Sequence, residues 1–557
     1  MMKKALSLSL AILLLFGTLV PAFAENTAPA TITPQRSGSV PMVLLMGDGE
    51  SIYDENGKRI DSFVETLSKM LSDDDSEESA EEGEGDTGDS ARNVLKGFAE
   101  AIIAGKYDEY YEILEKEIAE MTEPMQMDEN GNPRPGVGIA QDRLQENINR
   151  MTTPNSKSTY SYGEYQFCYD WRRDPVEVAD ELDAFINAVC EMTGHSQVGL
   201  VGRCLGTNFV MAYLCKYGSK HQIKGFGLDA GMTYGHNAMS ESISGKFQTD
   251  GDSINRYLED YRIIYDLKYD AWVPQLIDFM ERSHLMEGLG TAVKETIYNK
   301  MVEGVTHALA MATYFTIPGY WSCVNIKDYN DAMRYVFGPE GSEKREKYAG
   351  LIQKIENYHV NVRLKMDDAM KDFAANGGNV AVVGKYGFQM TPICRSRNWV
   401  GDDFTSLRYA TLGATTSEVY NTLSDDYIRA QQEKGLGKYI SPDHQVDTST
   451  CLFPDSTWVL KGVNHGNWTD FEEAILYTAS VADRQLTTDD FGYSQFIVLN
   501  KETGAFEPMS TENCNTENWK AIDPKTETRP SKLMRFLTSL FNVFNILLNL
   551  IRSKLSK

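Results

Sequence analysis

Cys204 stands in VGLVGRCLGTNF, Val198 to Phe209, with Gly202 two residues before it and Gly206 two residues after. Small residues at those two places are what a nucleophile elbow requires. The turn is strained, and a side chain there would collide with the neighbouring strand or helix. The following segment, TNFVMAYL, has helical character, and a helix N-terminus favours a thiolate at Cys204. The competing reading is a structural buried thiol, because cysteine is among the most buried residue types. An elbow nucleophile needs an acid and then a histidine further along the chain. His465, in VLKGVNHGNW, follows the last strand-like run and lies between Gly462 and Gly466. His444 is its rival but precedes that run. Asp443, in YISPDHQVDTSTC, is the expected acid, with Asp447 and Asp455 as close alternatives. In this arrangement Cys204 attacks an ester, thioester or amide carbonyl, His465 takes the thiol proton, and Asp443 orients the imidazole. The oxyanion is expected on the backbone N–H of Leu205 and on one N–H from PMVLLMGDG, at Asp48 or Gly49.

These residues need a scaffold, and the hydrophobic pattern supplies one. PMVLLMGDG (Pro41 to Gly49), YQFCYDW (Tyr165 to Trp171), SQVGLVG, IKGFGLDAG (Ile223 to Gly231), NVAVVGKYGF (Asn379 to Phe388) and TWVLKGV (Thr457 to Val463) read as strands. Between them, Val176 to Met192 has apolar residues at helical spacing, with Asp174 and Pro175 as a start and Gly194 as a stop. A further helix is expected from about Trp468 to Val481. Alternation of strand and helix predicts an α/β fold, a mostly parallel sheet covered on both faces. The alternation stops over 232–376, which is aromatic-rich and helical in pattern and reads as a cap insertion. The core is then 38–231 and 377–485, with a C-terminal extension over 486–531.

Other segments bear on location and partners. MMKKALSLSLAILLLFGTLVPAFA, residues 1–24, has the charge, apolar run and small-residue end of a secretory leader, so an extracytoplasmic protein is expected. The net charge of −26 argues against nucleic acid as a partner, since phosphate binding needs clustered Lys and Arg. Residues 72–90, SDDDSEESAEEGEGDTGDS, read as a solvated acidic loop without EF-hand spacing. The eight cysteines show no CxxC pair and no zinc-ligand spacing with histidine, so neither a metal nor a cofactor is expected. Which of them form disulfides is left open by their spacing. Residues 532–557 form an apolar stretch with one narrow polar stripe and five flanking basic residues. That pattern fits a helix lying in an anionic membrane surface; a helix docked on the protein's own core or on a partner is the competing reading.

YDWR, Tyr169 to Arg172, followed by a helix and the elbow, resembles the lecithin:cholesterol acyltransferase group of α/β-hydrolases. PMVLLMGDGES resembles that group's opening strand and oxyanion loop. IPGYWSCVNIKDYNDAMRYVFG, Ile317 to Gly338, resembles its cap segment, and YGFQMTP, Tyr386 to Pro392, its Tyr-Gly strand end. SPDHQVD stands where the group carries its acid, and VNHGN where it carries its histidine, which again points to Asp443 and His465. The resemblance spans about residues 41–480 and implies an acyl-ester substrate, such as a phospholipid or acylglycerol, with water or an alcohol as acceptor. The chain departs from it at the nucleophile, where Arg203-Cys204 replaces a serine elbow, and at Gly206-Thr207 in place of Gly-Gly. Arg203 either favours the thiolate or points to solvent. Loss of the serine also fits a catalytically silent fold used as a surface binding protein.

Overall fold

The computed structural model describes most of residues 40–60, 106–139, 164–248 and 303–514. The leader at 1–24, the acidic stretch at 72–90, Asp48, Gly49 and the helix expected at 532–557 lie outside the described residues. Among the described residues, no helix is long and apolar enough to cross a membrane.

Eight strands form the main sheet: β1 (Met42–Leu45), β2 (Glu164–Gln166), β3 (Val198–Arg203), β4 (Ile223–Asp229), β5 (Asn379–Tyr386), β6 (Thr457–Lys461), β7 (Phe496–Leu499) and β8 (Phe506–Pro508). Their order is β8-β7-β6-β5-β4-β3-β1-β2. Every neighbouring pair is parallel except β7 and β8. Register aligns the strand ends that matter for chemistry. Leu45 pairs with Gly202, Arg203 with Asp229, and Tyr386 with Lys461. The loops leaving β1, β3, β4, β5 and β6 therefore emerge along one carboxyl edge of the sheet.

The strands alternate their side chains between two apolar layers, as a period of two requires. Val43, Leu45, Val380 and Val382 face one layer, and Met42, Leu44, Ala381 and Val383 face the other. Helices α1 (Pro175–Thr193), α2 (Gly206–Tyr217) and α3 (Met366–Ala375) cover the first layer, and α4 (Asp470–Val481) covers the second. Helix α1 starts where its local chemistry dictates. The Asp174 side chain accepts from the Val176 N–H at 2.9 Å, Pro175 occupies the first turn, and Gly194 closes the helix at φ 71°. Such a cap contributes about 1 kcal/mol. Strand order, helices on both faces and a sharp turn after β3 define an α/β-hydrolase fold.

Three boundaries differ from the sequence reading. Helix α3 covers the sheet instead of belonging to a cap: Met366 and Met370 are buried with Phe209 and Val380, and the Phe373 ring lies 5.2 Å from that of Phe226. The sheet also continues past residue 485 through β7 and β8, whose short apolar runs carry little periodicity. YDWR is not strand: β2 ends at Gln166, and Tyr169–Arg172 lie beyond it, with a turn at Trp171–Arg172. No disulfide joins any of the eight cysteines.

Candidate active site

Cys204 sits between β3 and α2 at φ 53°, a left-handed conformation that costs a side-chain-bearing residue about 1 kcal/mol or more. The surroundings over-determine that turn. The Cys204 N–H donates to the Asp229 carbonyl at 3.0 Å, and the Thr207 hydroxyl donates to the Cys204 carbonyl at 2.7 Å. The Met232 N–H in turn donates to the Thr207 hydroxyl at 3.0 Å. The elbow glycines are sterically required. A methyl on Gly202 would lie 2.9 Å from Thr207 Cα, and one on Gly206 would run into the carbonyl of Leu45. The departure from Gly-Gly thus gives Thr207 a structural role, buttressing the turn through its hydroxyl.

The loop leaving β1 crosses directly over the elbow. A methyl on Gly47 would lie 3.1 Å from Cys204 Sγ and 3.2 Å from the Leu205 backbone nitrogen. Leu205 stands at the N-cap of α2, where backbone N–H groups lack intrahelical partners. The space beside Gly47 is therefore where an oxyanion would meet Leu205. Tyr169 anchors this loop, its hydroxyl donating to the carbonyls of Met46 and, at 3.1 Å, Gly47. The rest of YDWR ties the same region to the segment after Ile317. Arg172 grips Asp170 through two side-chain bonds of 3.0 and 2.7 Å, the Gly319 N–H donates to the Arg172 carbonyl at 3.0 Å, and the Trp171 ring packs at a tilt 5.1 Å from that of Tyr320. Gly47→Ala is expected to leave the fold intact and to lower kcat/KM on any ester substrate by about 10²-fold, the scale of a lost oxyanion donor. Parallel ester assays and melting curves check this, and unchanged turnover would remove the loop from the site.

His465 lies in the loop after β6 and is 6% exposed. Its Nδ1 faces Asp402 Oδ2 at 2.9 Å, so with the carboxylate accepting, Nδ1 carries the proton and Nε2 is left as the base. Nε2 is buried and has no hydrogen-bond partner among the described residues. Asp402 is fully buried and doubly fixed. Its Oδ1 accepts from the N–H groups of Thr405 (2.6 Å) and Phe404 (3.2 Å), and its carbonyl accepts from the His465 N–H at 2.8 Å. Arg203, next to Cys204, donates through Nη2 to the His465 carbonyl at 2.8 Å, which ties the histidine loop to the elbow.

Asp443, the expected acid, is engaged elsewhere. Its Oδ2 accepts from Lys461 Nζ and from the Tyr386 hydroxyl, both at 2.7 Å, and its Oδ1 accepts from Ser441. Burial alone would raise this carboxyl, but the Lys461 ammonium and the hydroxyl donors hold it below the ordinary carboxylate range. Asp447 accepts from Tyr427 (2.8 Å) and Gln431 (3.0 Å), and Asp455 from Tyr439 (2.7 Å), so neither alternative meets His465. Asp402 was missed because it lies in NWVGDDFTS, a stretch without a distinctive motif. Its one signal is Gly401 before a paired aspartate after β5.

A second histidine stands behind the first. His236 Nδ1 accepts from the Met239 N–H at 3.2 Å, and its Nε2 donates to the Phe404 carbonyl at 2.9 Å. The Phe404 ring lies between the two imidazoles, 4.2 Å from His236 and 4.8 Å from His465. Burial, with His465 close by, lowers His236 to about 3, so it is neutral at working pH and serves to fix the Asp402–Phe404 turn.

No family model matches the chain, and no curated protein matches it. A solved structure described as the crystal structure of the Tle4-Tli4 complex aligns at 12% identity, covering 62% of this chain and 74% of that chain, with a TM-score of 0.23. That score is too low to bear on function. The class assignment stands on the sheet order and the turn after β3: an α/β-hydrolase-fold protein with Cys204 at that turn.

Proposed function

We propose that the chain is an acyl-ester hydrolase or acyltransferase working through Cys204, His465 and Asp402. The observation that carries this reading is the buried His465 imidazole, bonded at Nδ1 to Asp402 and open at Nε2, in a loop bonded to the residue before Cys204. Cys204 gives its proton to His465 Nε2 as sulfur bonds to the ester carbonyl carbon. The oxyanion rests on the Leu205 N–H and on the loop after β1. Collapse breaks the C–O bond, the alcohol leaves with the proton from His465, and a thioester remains on Cys204. Water or an alcohol then gives a proton to Nε2 and attacks that thioester, which returns the thiol and releases the acid or a new ester. The resemblance to the lecithin:cholesterol acyltransferase group favours a lipid acyl ester. The leader-like residues 1–24 and the basic, apolar residues 532–557 favour an exported protein acting at an anionic membrane surface.

The test is alkylation read together with turnover. The chain from residue 25 onward is treated with iodoacetamide, mapped by mass spectrometry and assayed on short- and long-chain p-nitrophenyl esters. Turnover is expected to fall in step with modification of Cys204. The other thiols should react slowly. Burial pushes Cys215, Cys323 and Cys451 up to about 12 and raises Cys190, Cys394 and Cys514 as well, and Cys168 is 1% exposed. Absence of turnover on every ester, or turnover that survives full modification of Cys204, would support a catalytically silent binding protein instead.

A further inference from the structure

Beneath the carboxyl edge of the sheet lie four buried charges from four elements. Arg203 ends β3, Asp229 ends β4, Lys385 lies on β5 and Glu472 on α4; none is more than 3% exposed. Arg203 Nε meets Asp229 Oδ2 at 3.2 Å, Lys385 Nζ meets the same oxygen at 3.3 Å, and Lys385 also pairs with Glu472. Burial raises the Asp229 carboxyl, Lys385 and Arg203 pull it down, and Glu472 raises it further. Desolvating such charges costs several kcal/mol per ion, and apolar residues could fill the same volume at less cost.

Apolar residues could not make the bonds that the two cations make next. Arg203 Nη2 donates to the His465 carbonyl at 2.8 Å, and Lys385 Nζ donates to the Asn467 carbonyl at 2.6 Å. Arg203 also lies 5.4 Å from the Trp468 ring. Glu472 closes the same loop from its far end. It accepts from the Thr469 N–H at 2.8 Å and from the Thr469 hydroxyl at 2.6 Å in the capping box that opens α4. Alternate carbonyls of one short loop, those of His465 and Asn467, are thus each held by a buried cation, and each cation is balanced by a carboxylate on another element.

We infer that this cluster is a clamp for the histidine loop and that Arg203 is its positioning residue, acting on His465 rather than on the neighbouring thiol. The inference rests on the reading of His465 as the base for Cys204. It also resolves the two roles that the sequence left open for Arg203. The side chain does not point to solvent: it is buried, and its Nε and Nη2 are turned to Asp229 and to the His465 carbonyl. Arginine suits the task because its planar fork serves a carboxylate through Nε and a carbonyl through Nη2 at once. A lysine ammonium has no such fixed fork.

The test reads His465 directly. In the full mature chain labelled with ¹⁵N-histidine, the Nδ1–H signal of His465 bonded to Asp402 is assigned by its loss in His465→Gln. Arg203→Met is expected to abolish or broaden that signal and to shift the titration midpoint of the imidazole. Ester kcat should fall by about 10²-fold with KM little changed, the effect of a misplaced base. Arg203→Lys should restore the fold but only part of the signal. If Arg203→Met does not fold, Arg203→Met with Asp229→Asn removes both charges and gives the same reading. An unchanged His465 signal and midpoint in either folded variant overturns the inference. So does a loss confined to the Cys204 alkylation rate, which would make Arg203 an activator of the thiolate. A wild-type chain with the signal intact but no ester turnover would sink the proposed function and leave the clamp standing.

Discussion

Cys204→Ala is expected to lower ester turnover by about 10⁴–10⁶-fold, leaving only what the oxyanion hole and substrate binding supply, while the protein keeps its fold. The magnitude follows from the cooperative character of a nucleophile and its base, since removing either alone forfeits nearly everything they achieve together. The fold survives because the elbow is held by the main chain. The Cys204 N–H still reaches the Asp229 carbonyl, and its own carbonyl still accepts from Thr207. Alanine is no worse than cysteine at φ 53°, so no new strain enters. The measurement is turnover beside a melting curve and intact-mass analysis after exposure to an ester. A variant that still turns over ester would place the nucleophile elsewhere, and an acyl adduct on the wild-type chain alone would fix it at Cys204. Sulfur changes the demand on the base more than the geometry. A thiol yields its proton to imidazole far more readily than a hydroxyl does, so the step most dependent on Nε2 becomes protonation of the leaving alcohol.

What the sequence conveyed and what it hid divide along a physical line. Features set by local sterics were readable. Gly202 and Gly206 flank a turn that tolerates no larger residue, and Asp174, Pro175 and Gly194 mark the two ends of α1. The parallel sheet was readable for the same reason, because its strands are buried on both faces and appear as apolar runs. The acid was not. Chain order demands an aspartate between β5 and β6, and that interval holds seven: Asp402, Asp403, Asp425, Asp426, Asp443, Asp447 and Asp455. Which of them meets His465 depends on how a long excursion folds back, and nothing local encodes it. Resemblance pointed to Asp443, which sits close to the strand ends but beside Lys461, a buried cation that claims it. Helix α3 escaped for a related reason. Its apolar stripe looks the same whether it covers a cap or a sheet, and only Phe226 and Val380 across from it tell the two apart.

That division makes a paired experiment decisive. Asp402→Asn is expected to cost about 10⁴-fold in kcat, and Asp443→Asn less than about 10-fold. An asparagine at 402 presents an amide N–H to His465 Nδ1, which must then accept. The imidazole proton moves to Nε2, and the base is gone although every atom stays near its place. Asp443→Asn leaves the His465–Asp402 pair untouched but strands Lys461, whose side chain is 3% exposed, without its carboxylate. Removing one partner of such a buried pair costs about 3–5 kcal/mol of stability. The pH dependence separates the two roles again. Because the folded Asp443 carboxyl is held below its unfolded value, its contribution is present above the ordinary carboxylate range and is lost as pH falls through the folded value. Denaturant melts should therefore show the widest gap between wild type and Asp443→Asn near neutral pH, closing in acid, whereas Asp402→Asn should fail in turnover across the whole range. The opposite pattern, with turnover lost on changing Asp443 and kept on changing Asp402, would return the acid to the loop that the sequence first suggested and would require the chain around 398–405 to rearrange before chemistry.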